Sequence, residues 1–512
     1  MAVIAEKTLD WVDRHLLGLL FGIALLRVAF LFTNGLDLIG DESYYWDWSR
    51  QPDWCYYSKP PMVAWVIGLS TWLLGDVAWA VRLPTVLFGT LFLWLFHATA
   101  KAFYGPRASA LALLLVLATP INVLANFLMT IDPLLYCFWM MTLYFLRRAL
   151  FDGDDRAWLW AGCANAAALL SKQSAIALPL LLLVFLMQDR ERRACLKTGY
   201  LLYLLPIAAA ALPILYWNAQ HDWVMFGHSK SHFGNHEPVS MVKHLQHSRD
   251  FVLYQLLLLS PVIFVVIVVD TVKAVFNFKS LAAEQRFLLL MGPVLVLATL
   301  LLSLLQKAQG NWPMAFYFSG LILLAGKAAA GHWKKSLRYG MGLGFAMAAI
   351  TYVLPLLLQL LSLQHSAIDP TKRFKNWQEL AVNIHFERLM ALPDPTGSFV
   401  VALGHRYLAS QLAFYLPDHP KVYRFEDSGR VESQYEVWPG PEQQFIGNNG
   451  FVVASVDESQ LPARLKAAFE RFRFLAQIPD PGNPDNTYYI YLGENLKHWP
   501  EPNSIIHATS EN

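Results

Sequence analysis

The stretch LLGLLFGIALLRVAFLF, residues 16–32, decides the fold class, because it is long and apolar enough to cross a bilayer as one helix. A spanning helix needs roughly 20 apolar residues, within a range of about 17–25. The whole chain is similar: 55% of its 512 residues are hydrophobic and 15% are charged, whereas soluble domains carry about 25% charged residues. The sequence therefore predicts a polytopic α-helical membrane protein.

Apolar runs recur along the first 363 residues. We expect eleven spans, at residues 16–32, 79–100, 108–117, 131–146, 157–170, 174–187, 200–217, 251–269, 287–304, 313–324 and 340–361. Alternation from a cytoplasmic N-terminus makes every cytoplasmic loop basic, as the positive-inside rule requires. Because the number of spans is odd, the tail is expected outside the cytoplasm.

Residues 364–512 are polar and contain no further predicted span. The segments SFVVALG and GFVVASVD predict buried strands, HRYLASQLAFYL between them predicts an amphipathic helix, and NTYYIYLG predicts a late strand. We therefore divide the chain into a transmembrane domain at 1–363, with an interfacial first outer loop at 34–78, and a small extracytoplasmic α/β domain at 364–512.

The segment GDESYYWDWSRQPDWCYYSKPP, residues 40–61, lies in that outer loop. Asp41 and Glu42 are neighbours, so on a helix they diverge by about 100°, and one can face a pocket while the other supports structure. The aromatic residues from Tyr44 onward favour a short helix in the membrane interface. Lys59, before two prolines, directs an ammonium group towards the membrane surface. An interfacial loop with ordinary solvated charges remains an equal alternative.

Further charged residues occur at the outer ends of the predicted spans: Arg27, Arg82, Asp132, Lys172 and Lys307. Each has a simpler interpretation, such as snorkelling for Arg27 or a first helical turn for Asp132 ahead of a proline. Collected at one depth, however, they predict a pocket for an anionic headgroup, with carboxylates for proton transfer or sugar contacts.

Two other features carry less weight. His228, His232 and His236 are four residues apart and would align on a helix as metal ligands, but the glycines and proline around them favour a polar loop in 218–250 instead. The four cysteines have no regular spacing and predict neither a disulfide framework nor a metal clip. A net charge of +2 gives no indication of a nucleic-acid partner.

The motifs, in their order, resemble the polytopic GT-C glycosyltransferases, and specifically the bacterial branch of the dolichyl-phosphate-mannose protein mannosyltransferase family. That branch contains the aminoarabinose and galacturonic acid transferases of lipid A. The resemblance covers most of the chain and rests on the motifs DESYYW, YYSKPPM, AVRLPTVLFG, MTIDPLLYCFW, LLSKQSAIALPL, WNAQHDW and KAQGNWP.

The resemblance implies a sugar donor on a polyprenyl phosphate, reached from the outer leaflet of a bacterial inner membrane, with the tail in the periplasm. It assigns Asp41 to the catalytic centre and Asp132 as the second acid, with Lys59, Lys172 and Arg82 as phosphate contacts. Glu42 is added to the catalytic set, and Tyr44 and Lys307 to the substrate-binding set. The chain departs from the aminoarabinose transferases at Ser58, where an acidic residue that helps to hold a metal is expected.

The expected reaction is transfer of a hexose or pentose, with inversion, to lipid A, lipopolysaccharide or another envelope acceptor. Fixed cations can neutralise the leaving phosphate without a metal, so no cofactor is required, although a divalent metal remains open. The alternative is a transporter or flippase of a lipid-linked sugar. Carriers hold their sites near the bilayer midplane, often with repeats and broken helices, and no repeat is visible in this sequence.

Overall fold

A computed structural model describes residues 2–234, 241–364, 366, 369–392, 397–481 and 483–500. Helices dominate the chain up to residue 360. In chain order they are α1 (Ala2–Arg14), α2 (Leu16–Thr33), α3 (Gly40–Ser49), α4 (Met62–Leu74), α5 (Ala78–Leu117), α6 (Pro120–Ala125), α7 (Ile131–Phe151), α8 (Arg156–Ser171), α9 (Ala177–Leu186), α10 (Arg190–Arg193), α11 (Gly199–Gln220), α12 (Val224–Gly234), α13 (Met241–Leu259), α14 (Pro261–Phe276), α15 (Ala283–Leu290), α16 (Pro293–Leu305), α17 (Tyr317–Ala329) and α18 (Lys334–Leu360).

The tail alternates strands and helices. Its elements are α19 (Trp377–Ala391), β1 (Phe399–Leu403), α20 (Arg406–Tyr415), β2 (Val422–Phe425), α21 (Glu442–Phe445), β3 (Gly450–Ala454), α22 (Ala463–Ala467), β4 (Phe469–Asp480) and β5 (Asn483–Leu496). The three strands and the amphipathic helix predicted from the sequence are confirmed as β1, β3, β5 and α20.

The strands form one mixed sheet in the order β2-β1-β3-β5-β4. β1 pairs in parallel with β2 and β3, while β5 is antiparallel to β3 and β4. Every residue of β1 and β3 is buried, which explains their continuous apolar sequences. One face of the sheet carries a core that includes Phe399, Val401 and Phe469.

Six helices of the described chain are long and apolar enough to cross a membrane, or seven if a bent pair is counted as one span. The number eleven therefore stays a prediction. The expected spans at 79–100 and 108–117 are joined in α5, which is interrupted at Gly105, where φ is 79°. Glycine tolerates this left-handed conformation, which a side chain would disfavour.

The prediction of one continuous helix at 251–269 is wrong, because two helices occupy this segment. α13 and α14 meet at a bend of 111°, where Ser260 has a φ of 85° and Pro261 opens α14. A residue before proline is disfavoured in the α conformation, and proline suits a first helical position. The Ser260–Pro261 pair therefore explains why one helix ends and the next begins at this point. The expectation of a loop throughout 218–250 is also wrong, because α12 and the start of α13 occupy much of it.

The chain forms two compact units. The first contains Met1–Leu31, Arg82–Ile214 and Ser231–Leu354. The second contains Phe32–Val81, Leu215–Lys230 and Pro355–Asn512, so the first outer loop clusters with the tail. The boundary near residue 364 remains a prediction about sequence regions.

Candidate active site

Helix α3 gives its two neighbouring acids different environments. The chain enters the helix through extended backbone at Ile39, and Glu42 Oε2 accepts a hydrogen bond of 3.1 Å from the Ile39 N–H. Glu42 is fully buried, whereas the side chain of Asp41 is 37% exposed. Both acids lie in the first turn, where the helix dipole favours negative charge. The divergence expected from helical geometry is therefore present, and Asp41 is the acid that is open to solvent.

The carboxylate of Asp41 is held by side chains of the tail. Tyr407 Oη donates a hydrogen bond of 2.9 Å to Asp41 Oδ1, and Arg406 Nη2 lies 3.8 Å from the same oxygen. Burial, with Asp41 adding to it, raises the pKa of Tyr407 to about 12. The phenol therefore keeps its proton at physiological pH and remains a donor to the carboxylate.

The start of α20 positions this donor. α20 follows the carboxyl end of β1, and its N-cap residue, His405, accepts a hydrogen bond from the Tyr407 N–H through Nδ1, at 3.3 Å. Burial, together with Arg406 and Arg424, lowers the pKa of His405 to about 4, so the ring is neutral and can accept. The Tyr407 ring lies directly over Gly40, where an added Cβ would be 2.1 Å from the ring Cγ.

Tyr407 and Arg406 were missed in the sequence, where HRY was interpreted only as the beginning of an amphipathic helix. The available signal was its place directly after a buried parallel strand, since ligands of open α/β sheets bind outside the carboxyl ends of strands.

The aromatic residues of α3 are packed inside the protein rather than exposed to lipid. The predicted helix is confirmed, but Tyr44, Trp46 and Trp48 are at most 1% exposed, so their interpretation as interfacial anchors is wrong. Tyr44 Oη accepts a hydrogen bond of 2.6 Å from the Gln434 N–H, and the Arg406 guanidinium lies 5.4 Å from its ring centroid. Burial raises the pKa of Tyr44. These contacts support packing, while substrate binding by Tyr44 stays a prediction.

The loop that carries Lys59 is held in a defined conformation. The Tyr56 N–H donates to the Lys59 carbonyl at 3.1 Å, and the Tyr56 ring stacks on Trp48 with centroids 4.4 Å apart. The Tyr57 N–H donates to Gln434 Oε1 at 2.7 Å. Lys59 itself is half-buried. Its backbone is therefore fixed, and its role as a phosphate contact stays a prediction.

A second cluster lies within the first unit and contains Asp132, Lys172 and Asn311. Lys172 Nζ contacts Asp132 Oδ1 at 2.7 Å, with both side chains nearly buried at 11% and 12% exposure. Asn311 Nδ2 donates to Asp132 Oδ2 at 2.8 Å. Both carboxylate oxygens are thus used, and the ion pair is neutral overall, which suits a low-dielectric environment.

Local sequence explains how the members of this cluster are presented. Thr130 caps α7 by accepting from the Asp132 N–H, and Lys172 leaves the end of α8 in extended backbone with φ −155°. Asn311 belongs to the motif KAQGNWP and precedes a short 3-10 turn at Met314–Phe316. The structure therefore brings together two predicted residues and adds a third that the motif contained.

Arg82 and Lys307 differ in environment. Arg82 is 1% exposed, and its guanidinium lies 4.3 Å from the ring centroid of Phe127. Lys307 is exposed on the segment after α16. Arg27 is also buried and donates to Asn126 Oδ1 at 2.6 Å. A fixed environment of this kind is expected for a structural cation, and the assignments of Arg82 and Lys307 to substrate stay predictions.

The described residues do not provide an obvious metal site. Within them, no three His, Cys, Asp or Glu side chains come close enough together to hold an ion. Ser58 occupies the position where an acidic ligand was expected. His228 lies on α12 with its ring 4.9 Å from that of Tyr57, while His236 and the side chain of His232 lie outside the described residues. The part of the chain that the structure describes therefore does not assemble a metal site.

Comparison with known proteins supports the resemblance inferred from the motifs. Residues 58–217 match the family model of dolichyl-phosphate-mannose-protein mannosyltransferases. The lipid A galacturonosyltransferase RgtD of Rhizobium johnstonii is 27% identical over 433 residues, which are 82% of this chain and 86% of that protein. The predicted resemblance is confirmed. This chain is similar to the bacterial lipid A transferases of that family.

The fold comparison agrees. Crystal structures of ArnT from Cupriavidus metallidurans, in the apo state and bound to undecaprenyl phosphate, both superpose with a TM-score of 0.62 at 18% identity. The apo structure covers 94% of this chain and 98% of ArnT. The chain therefore has the GT-C fold of ArnT, with many apolar helices and a small C-terminal sheet.

Proposed function

We propose that this protein is an inverting glycosyltransferase that moves a sugar from a polyprenyl phosphate to lipid A, lipopolysaccharide or another envelope acceptor. The reaction would take place at the outer face of the inner membrane. The observation that carries the proposal is Asp41: it is the open acid on a helix that is otherwise almost wholly buried, and two tail residues hold it in place. The similarity to RgtD and the ArnT fold support the class of reaction.

The chemistry follows from a single displacement at the anomeric carbon. An acceptor oxygen forms a bond to that carbon while its bond to the phosphate oxygen breaks, and the polyprenyl phosphate leaves with the electron pair. An acceptor hydroxyl must lose its proton, and Asp41 is the group proposed to take it. If a lipid A phosphate attacks instead, no base is needed, and Asp41 orients the acceptor or the sugar.

The leaving phosphate requires positive charge. Lys59, on a fixed loop, and Lys172 are the lysines proposed for this role, with Arg82 as a further contact. Fixed cations in a water-poor site stabilise developing charge without reorganisation at the moment of reaction. Lys172 is already paired with Asp132. It therefore stabilises the leaving phosphate only with the part of its positive charge that Asp132 does not neutralise.

The deciding experiment is mass spectrometry of lipid A and lipopolysaccharide from cells with and without the gene, and with Asp41→Asn. Loss of a mass equal to one sugar, restored by the wild-type gene but not by Asp41→Asn, supports the proposal and identifies sugar and acceptor. Asp250→Asn is the matched control, because Asp250 is exposed and pairs with its neighbour Arg249 at the surface; it should restore the product. An unchanged glycolipid profile contradicts a lipid A or lipopolysaccharide acceptor.

One observation favours the alternative of transport, namely the bent helix pair α13–α14, since broken helices line the sites of many carriers. A transporter moves a lipid-linked sugar without making a glycosidic bond. Purified protein in liposomes with donor and acceptor distinguishes the two: formation of a product with inverted anomeric configuration supports transfer, whereas movement of intact donor alone supports transport.

A further inference from the structure

The tail contains a cavity of about 330 Å³ that the proposed reaction does not use. It lies between β2, the segment from Glu426 to Gln443, and residues Trp499 and Pro500. Its size is at the lower end of the range for small-molecule sites, about 300–1,000 Å³. We call it the tail cavity.

The polar part of the tail cavity is built around Arg424. Its guanidinium donates to the Gly404 carbonyl and to Glu436 Oε1, both at 2.8 Å, and also pairs with Glu426. The side chains of Arg424 and Glu436 are 7% and 3% exposed. Burial raises the pKa of Glu436, and the neighbouring Arg424 opposes that shift. The positive charge of Arg424 is therefore already neutralised by protein carboxylates.

The remaining charge in the tail cavity is negative. Glu442 adds a third carboxylate to Glu426 and Glu436, against one guanidinium in the lining. Lys421, whose Nζ lies 4.8 Å from the Tyr423 ring centroid, interacts electrostatically with Glu442, which still leaves three carboxylates against two cations. Of the carboxylate oxygens of Glu442, Oε2 is buried without a hydrogen-bond partner among the described residues. An excess of carboxylate acceptors attracts hydroxyl and ammonium donors and repels anions.

Aromatic rings supply the rest of the lining. Tyr435 and Trp438 meet edge to face with centroids 5.6 Å apart, and Trp499 meets Phe425 in the same way at 5.6 Å. Such rings present broad, rigid apolar faces next to polar edges. A sugar ring has the matching chemistry, with an apolar C–H face to lie on an aromatic ring and hydroxyl groups to donate to carboxylates.

One wall of the tail cavity is tied to helix α3. Tyr435 Oη donates to Asp47 Oδ2 at 2.7 Å, and the Gln434 N–H donates to Tyr44 Oη at 2.6 Å. Gln434 also accepts from the Tyr57 N–H, two residues before Lys59. The wall that a ligand would touch is therefore bonded to the helix of Asp41 and to the loop of Lys59.

From this arrangement we infer that the tail cavity binds a neutral or amine-bearing sugar residue of the acceptor glycolipid. The assignment to the acceptor rests on the proposed transferase function, whereas the preference for such sugars rests on the cavity alone. The cavity acts as a recognition subsite, and it disfavours acidic sugars because its carboxylates exceed its cations.

Direct binding tests the cavity without any transfer reaction. Saturation-transfer NMR on the purified full-length protein would compare methyl galactoside and methyl glucosaminide with methyl galacturonide. We expect signals from the first two and little from the third, and at least a tenfold weaker affinity in Trp438→Ala and Glu442→Gln. Phe474→Ala, an exposed aromatic residue of β4, is the control and should bind normally. Equal binding of the acidic sugar, or unchanged binding by both cavity variants, would overturn the inference.

Two further measurements keep the outcome unambiguous. In transfer assays, Trp438→Ala should raise the acceptor KM at least tenfold with little change in kcat, as expected when uniform binding is removed; an unchanged KM contradicts the acceptor assignment. Sugar binding without any transfer by the wild-type protein would contradict the proposed function and leave the cavity as a sugar site.

Removal of residues 501–512 should not alter binding. If binding appears only after that removal, the chain's own C-terminus occupies the cavity and the inference fails.

Discussion

Asp41 and Glu42 illustrate what adjacency in a sequence can predict. Helical geometry alone implies that two neighbouring acids face different directions. In the structure Glu42 accepts a hydrogen bond from the Ile39 N–H at the start of its own helix, whereas the side chain of Asp41 is partly exposed. The partner of Asp41 could not be predicted in this way, because Tyr407 is 366 residues further along the chain. No local pattern connects two side chains across that separation.

Substitution of Tyr407 by phenylalanine should lower kcat. The change removes the hydroxyl donor that contacts Asp41 at 2.9 Å and keeps the ring. A hydrogen bond to a charged group contributes about 1.5–3 kcal/mol, so kcat should fall about 10- to 100-fold. Steady-state kinetics measure the effect.

Tyr339→Phe is the matched control, since Tyr339 is 74% exposed on α18, and it should be indistinguishable from wild type. If Tyr407→Phe keeps the wild-type kcat, Tyr407 does not position Asp41.

The buried pair of Asp132 and Lys172 allows a structural role to be separated from a functional one. Removing one partner leaves a buried charge without compensation, which costs about 3–5 kcal/mol in buried pairs. Asp132→Asn and Lys172→Met should each lower the melting temperature in detergent, and the double variant should recover much of it. Transfer activity should stay absent in the double variant. Recovery of activity together with stability would show that the pair only supports the fold.

At the scale of elements, the N-cap of α20 predicts a dependence on pH. The pKa of His405 is lowered to about 4 from its ordinary 6.5. Between these values the unfolded chain binds the proton more readily than the folded chain, so stability rises with pH in this window and is lost on acidification. His405→Asn keeps an N-cap acceptor but cannot titrate. The melting temperature, measured between pH 4 and 7.5, should therefore fall less on acidification in the variant than in the wild type. Parallel plots of melting temperature against pH would contradict this role of His405.

Contact between elements also depends on Gly40. Because an alanine Cβ there would lie 2.1 Å from the Tyr407 ring, Gly40→Ala should displace α20 from α3 and reduce transfer at least as much as Tyr407→Phe. Gly22→Ala on α2 is the control, since its Cβ would meet nothing within 4 Å. Activity assays on protein matched for expression compare the two, and equal activity would show that α20 accommodates the methyl group.

Elements were predictable where one physical signal dominated. β1 and β3 are buried on both sides and have short apolar sequences, so they stood out. β4 was missed because it is an edge strand whose exposed positions carry charged residues such as Arg471 and Arg473. The α13–α14 bend was missed because the apolar run continues through Ser260 and conceals the break.

At the scale of the whole molecule, the charge pattern of the loops predicts the orientation. Alkaline phosphatase needs disulfides and an oxidising compartment to become active. A fusion at the C-terminus should therefore be active, whereas one after Asp154, in a predicted cytoplasmic loop, should be inactive. Green fluorescent protein fused at the same positions should give the reverse pattern. An active phosphatase after Asp154 would contradict the predicted topology.

Composition predicted the membrane class, and ordered motifs predicted the family resemblance. The sequence also supplied Asp132 and Lys172, which the structure pairs. The site residues of the tail, Arg406, Tyr407 and Gln434, could not be predicted from the sequence. Their contacts with the first outer loop depend on tertiary packing. Nor could the sequence reveal the compact unit that joins residues 32–81 to the tail.

The cluster around Asp132 also has a consequence for synthesis. Asp132 and Lys172 are 40 residues apart, whereas Asn311 is 179 residues from Asp132. At about 5–20 residues per second, the ribosome reaches Asn311 on the order of ten seconds after Lys172. During that interval Asp132 can meet Lys172 but not its Asn311 donor. The cluster can therefore be completed only after the ribosome has passed Asn311.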